Sequence, residues 1–271
     1  MHAPVPPNSL GLKQTFQIFG QLCQPVNGPL NLPAPVQVLI HGQTYTNQYW
    51  NGFQNYSYVD SSCSRGVSSF VYDNICAGLS SHPASSEDCQ LPTAAAVASS
   101  IASKLKDGSL AKTLLGTPRP FTKVFGIGHS LGSLTLNFAV IQDGILSPFT
   151  GIILTSDIHI ANAIGFNVSA LISGVCIPLR CNEELRLIFY GTQDTFNPSM
   201  PQLDFLTEDV GSIWILTQIL NSNTPTSFRG PATSVVGALD GSQCFPCDQP
   251  TLQAQEKVFF PNADLKVIWN V

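Results

Sequence analysis

Val124-Phe125-Gly126-Ile127-Gly128-His129-Ser130-Leu131-Gly132 runs from an apolar stretch into a pentapeptide of small residues, and a helix-like segment, Leu134 to Gln142, follows at once. This order predicts a buried strand, a sharp reversal and a helix, with one serine at the bend. The flanking glycines lack the Cβ atoms that would collide in so tight a turn, so Ser130 can be held in a strained pose facing solvent, as a nucleophile must be. The pentapeptide alone is a weak signal, and the strand and helix around it carry the reading. The plainer alternative is a glycine-rich turn used only for close packing.

The flanking sequence repeats the same alternation. Thr15 to Leu22 alternates apolar and polar residues as a strand with one covered face, and Asn27-Gly28 supplies a turn. Apolar runs at Val36 to Ile40, Val67 to Tyr72, Val124 to Ile127, Ile152 to Leu154, Leu185 to Tyr190 and Leu265 to Trp269 have the pattern of parallel strands covered on both faces. Helical segments lie between most of them. Pro92 to Lys106 is alanine-rich, with Val97, Ile101 and Leu105 four apart, and Leu134, Phe138 and Ile141 repeat a helical spacing before Gly144 stops the helix. The class is therefore α/β, with right-handed crossovers joining strands of a mostly parallel sheet.

Two stretches interrupt the rhythm. Residues from about 158 to 184, with Ile160, Ile164, Phe166, Leu171 and Ile172, read as a lid or cap over the strand ends, or as ordinary core. A long irregular excursion covers about 195 to 249, rich in Asn, Thr, Ser, Pro and Gly around one helical candidate, Val210 to Leu220. The whole chain reads as a single domain carrying an insertion: 271 residues, 44% hydrophobic and 11% charged, suffice for one large core.

A net charge of −5 with only 12 basic residues provides no footprint for nucleic acid or an anionic membrane surface. Eight cysteines, Cys23, Cys63, Cys76, Cys89, Cys176, Cys181, Cys244 and Cys247, form an even set that suggests up to four disulfides and an oxidising compartment. Reduced core thiols are the alternative. Asn55-Tyr56-Ser57 and Asn167-Val168-Ser169 are glycosylation acceptors, Asn55 and Asn167 being the modified positions, and they favour the oxidising reading. Cys244-Phe245-Pro246-Cys247 has no second ligand pair and no nearby histidine, so a local disulfide is preferred to a zinc or redox site. Cys176 and Cys181 are close enough for another, which leaves Cys23, Cys63, Cys76 and Cys89 to pair among themselves. No apolar stretch is long enough to span a bilayer, and the expectation is a secreted chain whose signal peptide has been removed.

Three more motifs join the elbow. His41-Gly42-Gln43 follows the strand Val36 to Ile40, Asp73-Asn74-Ile75-Cys76-Ala77-Gly78-Leu79-Ser80 follows Val67 to Tyr72, and Leu187 to Tyr190 runs into Gly191-Thr192-Gln193-Asp194. With these the chain resembles the α/β-hydrolase superfamily over nearly its full length, in particular the secreted, cysteine-containing enzymes of filamentous fungi. Cys76 and Ala77 depart from the glycine-rich form of the second motif. The resemblance implies an α/β-hydrolase fold with Ser130 as nucleophile and Asp194 as the acid, Asp157 being an alternative acid position. It also implies an oxyanion hole made by the backbone N–H groups of Gln43 and Leu131, donors already aimed at the developing charge. His41 then serves to stabilise its loop. No cofactor or metal is implied, and a serine at the elbow argues against the dehalogenase and epoxide-hydrolase branches, which would need an aspartate there.

A base for Ser130 is the open question. In the family the histidine follows the last strand, here Ala263 to Val271, and the expectation is that it lies beyond Val271 in the full-length protein. Removing that base from such a triad costs on the order of a million-fold in kcat. His159, the only histidine after Ser130, is the alternative base. The resulting expectation is a secreted serine hydrolase, carboxylesterase-like, acting on esters or lactones of small, uncharged, moderately apolar molecules through an acyl-enzyme. Two rivals stay open: a catalytically silent hydrolase-fold binder of a small molecule, and an acyl-transfer or cyclising enzyme of secondary metabolism.

Overall fold

A computed structural model describes residues 15–25, 34–53, 55–85, 88–157, 159, 187, 190, 196–211, 223–238, 240, 244 and 247–269. Their strands are β1 (Gly20–Cys23), β2 (Pro35–Ile40), β3 (Ser68–Tyr72), β4 (Lys123–His129), β5 (Gly151–Thr155), β6 (Ala232–Gly237) and β7 (Ala263–Ile268). They form one sheet in the order β1-β3-β2-β4-β5-β6-β7, antiparallel only between β1 and β3. Among the described helices are α1 (Gln48–Asn51), α2 (Tyr58–Ser64), α3 (Leu91–Lys106), α4 (Ser109–Leu115), α5 (Leu131–Asp143), α6 (Met200–Thr207) and α7 (Gln249–Phe259).

The strand period of two divides the core between the sheet's faces. Val36, Val38, Ile40, Phe70, Tyr72, Val124 and Leu154 pack with Ala95, Ala98 and Ala102 of α3 and Leu136, Ala139 and Val140 of α5. Leu39, Val71 and Ile127 face the other way, against Trp50 of α1 and Val59 of α2. The alanines bring α3 close to α5 and both onto the sheet, so the elbow before α5 is backed by solid core. At the far side Val236, Leu265 and Val267 pack on Leu252 of α7. β7 alternates fully, with Ala263, Leu265 and Val267 buried and Asp264 and Lys266 outside, paired at 3.0 Å.

Several expectations need correction. β1 is only the last part of the anticipated strand from Thr15 to Leu22. Of the strand expected at Leu185 to Tyr190 only Leu187, in a 3-10 turn, and Tyr190, in a bend, are described, and β5 pairs directly with β6. The stretch 195–249, expected to be irregular, contains α6 and that internal strand. Ala-Thr-Ser-Val-Val-Gly escaped notice because two of its six residues are hydroxylic and its neighbours are polar. In the structure Ala232, Ser234 and Val236 turn inward. Val210 and Gly211 are not helical, and residues 212–220 lie outside the described residues, as does nearly all of the anticipated lid at 158–184.

Cys23 bonds Cys63, Cys76 bonds Cys89, and Cys244 bonds Cys247, which is the pairing left open for the first four and the local bridge expected for the last two. Cys176 and Cys181 lie outside the described residues. No described helix is long and apolar enough to cross a membrane.

Candidate active site

Ser130 ends β4 with φ 50° and ψ −114°, a left-handed conformation that costs a residue with a side chain of order 1–3 kcal/mol unless its surroundings enforce it. They do. Its N–H donates to the Thr155 carbonyl at 2.9 Å, and its carbonyl accepts the Leu134 N–H at 3.1 Å. Ser133 Oγ donates to the same Thr155 carbonyl at 3.0 Å and accepts the Thr155 N–H at 3.0 Å. The reversal is therefore riveted to the end of β5. A Cβ on Gly128 would overlap Gly132 and Ser133 backbone, and one on Gly132 would overlap the Ile40 carbonyl of β2. Both glycines are required by close approach, and Ser130 is left partly exposed at the carboxyl end of the sheet.

The neighbouring loop is equally fixed. His41 is buried; its Nδ1–H donates to the Gly42 carbonyl at 2.8 Å, and its Nε2 accepts the Asn74 N–H at 3.0 Å. Burial holds its pKa below the ordinary 6.5, so the ring is a neutral brace for the loop and has no lone pair left for a nucleophile. Asp73, also buried, accepts the Asn47 N–H and Nδ2–H through Oδ1, each at 2.7 Å, and the Leu79 N–H through Oδ2 at 2.9 Å. Asp209 joins a third segment: its N–H donates to the Thr44 carbonyl at 2.7 Å, and its Oδ2 accepts the Gly78 N–H at 2.6 Å. Cys76, where the family pattern has glycine, does adopt a glycine-like φ of 68° and is tied there by its disulfide to Cys89.

These loops enclose a cleft on whose wall Gln43 and Leu131 meet, together with Asn74, Ile75, Val210 and Gly211. Leu131 is the first residue of α5, so its N–H has no partner within the helix. The two residues expected to stabilise an oxyanion thus line one cleft, Leu131 directly following Ser130.

The histidines are placed elsewhere. His129 stacks on Tyr49, with ring centroids 4.3 Å apart, and its Nδ1–H donates to Thr155 Oγ1 at 3.3 Å. Burial, and then His41 nearby, bring its pKa down to about 4. His82 Nε2 contacts the Gly78 carbonyl at 3.1 Å. His159, considered above as a base, is buried: its Nδ1–H donates to Glu256 Oε2 at 3.0 Å, and its Nε2 accepts Asn137 Nδ2–H at 2.9 Å. Its backbone N–H donates to Glu256 Oε1 at 2.6 Å, and its ring stacks on Phe259. The imidazole pins α7 to α5 and does not bond Ser130. His2 lies outside the described residues.

Of the two acids named from sequence, Asp194 lies outside the described residues, and Asp157 is buried with its pKa raised well above 3.8, first by desolvation and then by Glu256. A carboxyl kept toward its neutral form is ill suited to stabilise an imidazolium. Sequence reasoning missed Asp240. It follows β6 by three residues, its N–H donates to the Gly237 carbonyl at 3.1 Å, and its own carbonyl accepts at 2.9 Å the N–H of Cys244, which is bridged to Cys247. The available signal was the order of the tail, a Val-Val-Gly run, an acid, a helix and a last strand in immediate succession. Asn55 is exposed, as an acceptor for glycosylation needs to be, and Asn167 lies outside the described residues.

No protein-family model matches the chain, and no curated protein does. Solved structures match it well. An esterase from Exiguobacterium antarcticum is similar with a TM-score of 0.61 at 13% identity, over 93% of this chain and 87% of that one. Epoxide hydrolase A from Mycobacterium thermoresistibile gives 0.58 at 13% identity, over 94% and 88%. The thioesterase domain from the curacin biosynthetic pathway gives 0.53 at 13% identity, over 94% and 93%. At such identities the likeness speaks to architecture: the chain has the α/β-hydrolase fold.

Proposed function

We propose that this protein is a secreted serine hydrolase that cleaves esters or lactones of small, uncharged, moderately apolar molecules through an acyl-enzyme. The observation that carries the proposal is Ser130, partly exposed at φ 50° and directly followed by Leu131, which lines a cleft together with Gln43. Esterase and thioesterase activities among similarly folded proteins are in keeping with it, and the three disulfides among the described residues suit an oxidising compartment.

In this reading Ser130 Oγ attacks the substrate carbonyl, and the N–H groups of Gln43 and Leu131 hold the oxyanion of the tetrahedral intermediate. The acid is Asp240, at the end of the strand next to β7, with Asp194 as the alternative. The ends of β6 and β7 lie together, the Ala238 N–H donating to the Ile268 carbonyl at 2.9 Å, so a histidine in the segment following β7 is the proposed base; it takes the serine proton, protonates the leaving alcohol and then activates water for deacylation. A fluorophosphonate probe applied to the full-length protein tests this. Ser130 should label and Ser130→Ala should not. Absence of labelling in a correctly folded full-length protein would leave the second reading, a silent small-molecule binder, which is favoured by one observation: the rings of His41, His129 and His159 are all engaged away from Ser130.

A further inference from the structure

Asn74 carries a buried donor that nothing among the described residues accepts. The residue is 3% exposed, and its Nδ2 has no hydrogen-bond partner among the described residues. Its orientation is set from both ends. The backbone N–H donates to His41 Nε2 at 3.0 Å, and the side-chain Oδ1 accepts the Ile75 N–H at 2.9 Å, which identifies the other terminal atom as the amide nitrogen. Leaving such a group unsatisfied costs about 1–3 kcal/mol, so a buried unpaired amide on a residue that lines a cleft asks for an acceptor that arrives with a ligand.

Position narrows the ligand. Asn74 lines the same cleft as Gln43 and Leu131. It follows β3, whereas Ser130 ends β4 and Gln43 follows β2, the strand between them. Neighbouring strands lie about 4.8 Å apart, so Asn74 stands on the far side of Gln43 from Ser130. We propose that Asn74 is a specificity-determining residue whose Nδ2–H donates to a second oxygen in the acyl group, so that the preferred substrates are esters or lactones of oxygenated acids, with an ether, keto or hydroxyl oxygen a few bonds from the carbonyl. This rests on the serine-hydrolase reading above. A site built to donate a hydrogen bond discriminates strongly against an analogue that cannot accept it.

The test compares full-length wild type with Asn74→Leu and with Asn74→Asp, which keeps the acceptor for Ile75 N–H and removes the donor. Substrates are two isosteric pairs of p-nitrophenyl esters, methoxyacetate against butyrate and 3-methoxypropionate against valerate, with kcat/KM divided by each ester's hydroxide-catalysed rate. Wild type should favour the oxygenated member of at least one pair by about tenfold or more, and both variants should lose that preference while keeping fluorophosphonate labelling of Ser130. Equal ratios in wild type and the variants, or no wild-type preference in either pair, would overturn the role of Asn74 and leave the hydrolase reading intact. If wild type neither turns over any of the esters nor labels, both fall together.

Discussion

Gly132 and Asp240 show how much can rest on single positions. A methyl group at Gly132 would overlap the Ile40 carbonyl and crowd that of His41 at 2.8 Å, so Gly132→Ala must push α5 away from β2 one residue from the cleft-lining Leu131. A loss of about 3 kcal/mol or more in urea denaturation is expected, an overpacking effect at the upper end of its class. On the proposed mechanism Asp240→Asn should lower kcat of the full-length protein by about 10⁴-fold with native stability retained, since an acid that orients the base is worth that much in comparable triads, while Asp194→Asn should change it only a few-fold. The reverse outcome would restore Asp194 to the acid position. His129 contributes through protonation. Its pKa is about 4 in the folded protein against 6.5 ordinarily, so the unfolded chain binds more protons between those values. Stability from this group is therefore present above pH 6.5 and is lost as pH falls toward 4, and His129→Phe should shallow that acid-side loss in a series of unfolding curves.

The contact between α5 and α7 is built differently from the apolar packing around it. Asn137 on α5 reaches His159, His159 reaches Glu256 on α7, and Ser234 on β6 donates to Glu256 Oε2 at 3.0 Å. Asp157 lies against this network, with its pKa raised by burial and by Glu256. A raised carboxyl pKa means that the folded form holds its proton longer than the unfolded chain does, so stability falls as pH climbs from about the ordinary 3.8 to the raised value. Asp157→Asn should therefore stabilise the protein at neutral pH and flatten that decline, which denaturant midpoints across pH will show. Glu256→Gln should weaken the helix contact, because it leaves the buried His159 without its charged acceptor. Among these elements, β6 was the one hidden in the sequence: Thr233 and Ser234 look like loop residues until Ser234 is seen serving Glu256.

Disulfides tie the sheet margins to the interior. Cys23–Cys63 joins edge strand β1 to α2 across 40 residues, and Cys76–Cys89 holds the left-handed turn after β3 across 13. Chain-entropy arguments give about 4 and 3 kcal/mol for loops of these lengths, so Cys23→Ala with Cys63→Ala should lower unfolding free energy by roughly 2–4 kcal/mol, and reducing agent should affect that variant less than wild type. Much of the architecture was readable along the chain. The apolar runs at β2, β3, β4, β5 and β7, the helical spacing of α3 and α5 and the glycines around Ser130 are local signals, because strand and helix periods and steric relief at a tight turn act over a few neighbouring residues. The partners of the chemistry are not local. That Leu187 and Tyr190 stand outside the sheet, that β6 takes the place beside β5 and so brings Asp240 to the strand ends, that His159 is spent on Glu256, and that Asn74 keeps an unpaired amide in the cleft all depend on strands and helices far apart in sequence meeting in one packed core. Which of several plausible acids, histidines or amides is left available follows from burial and hydrogen-bond partnership, and those exist only once the chain is folded.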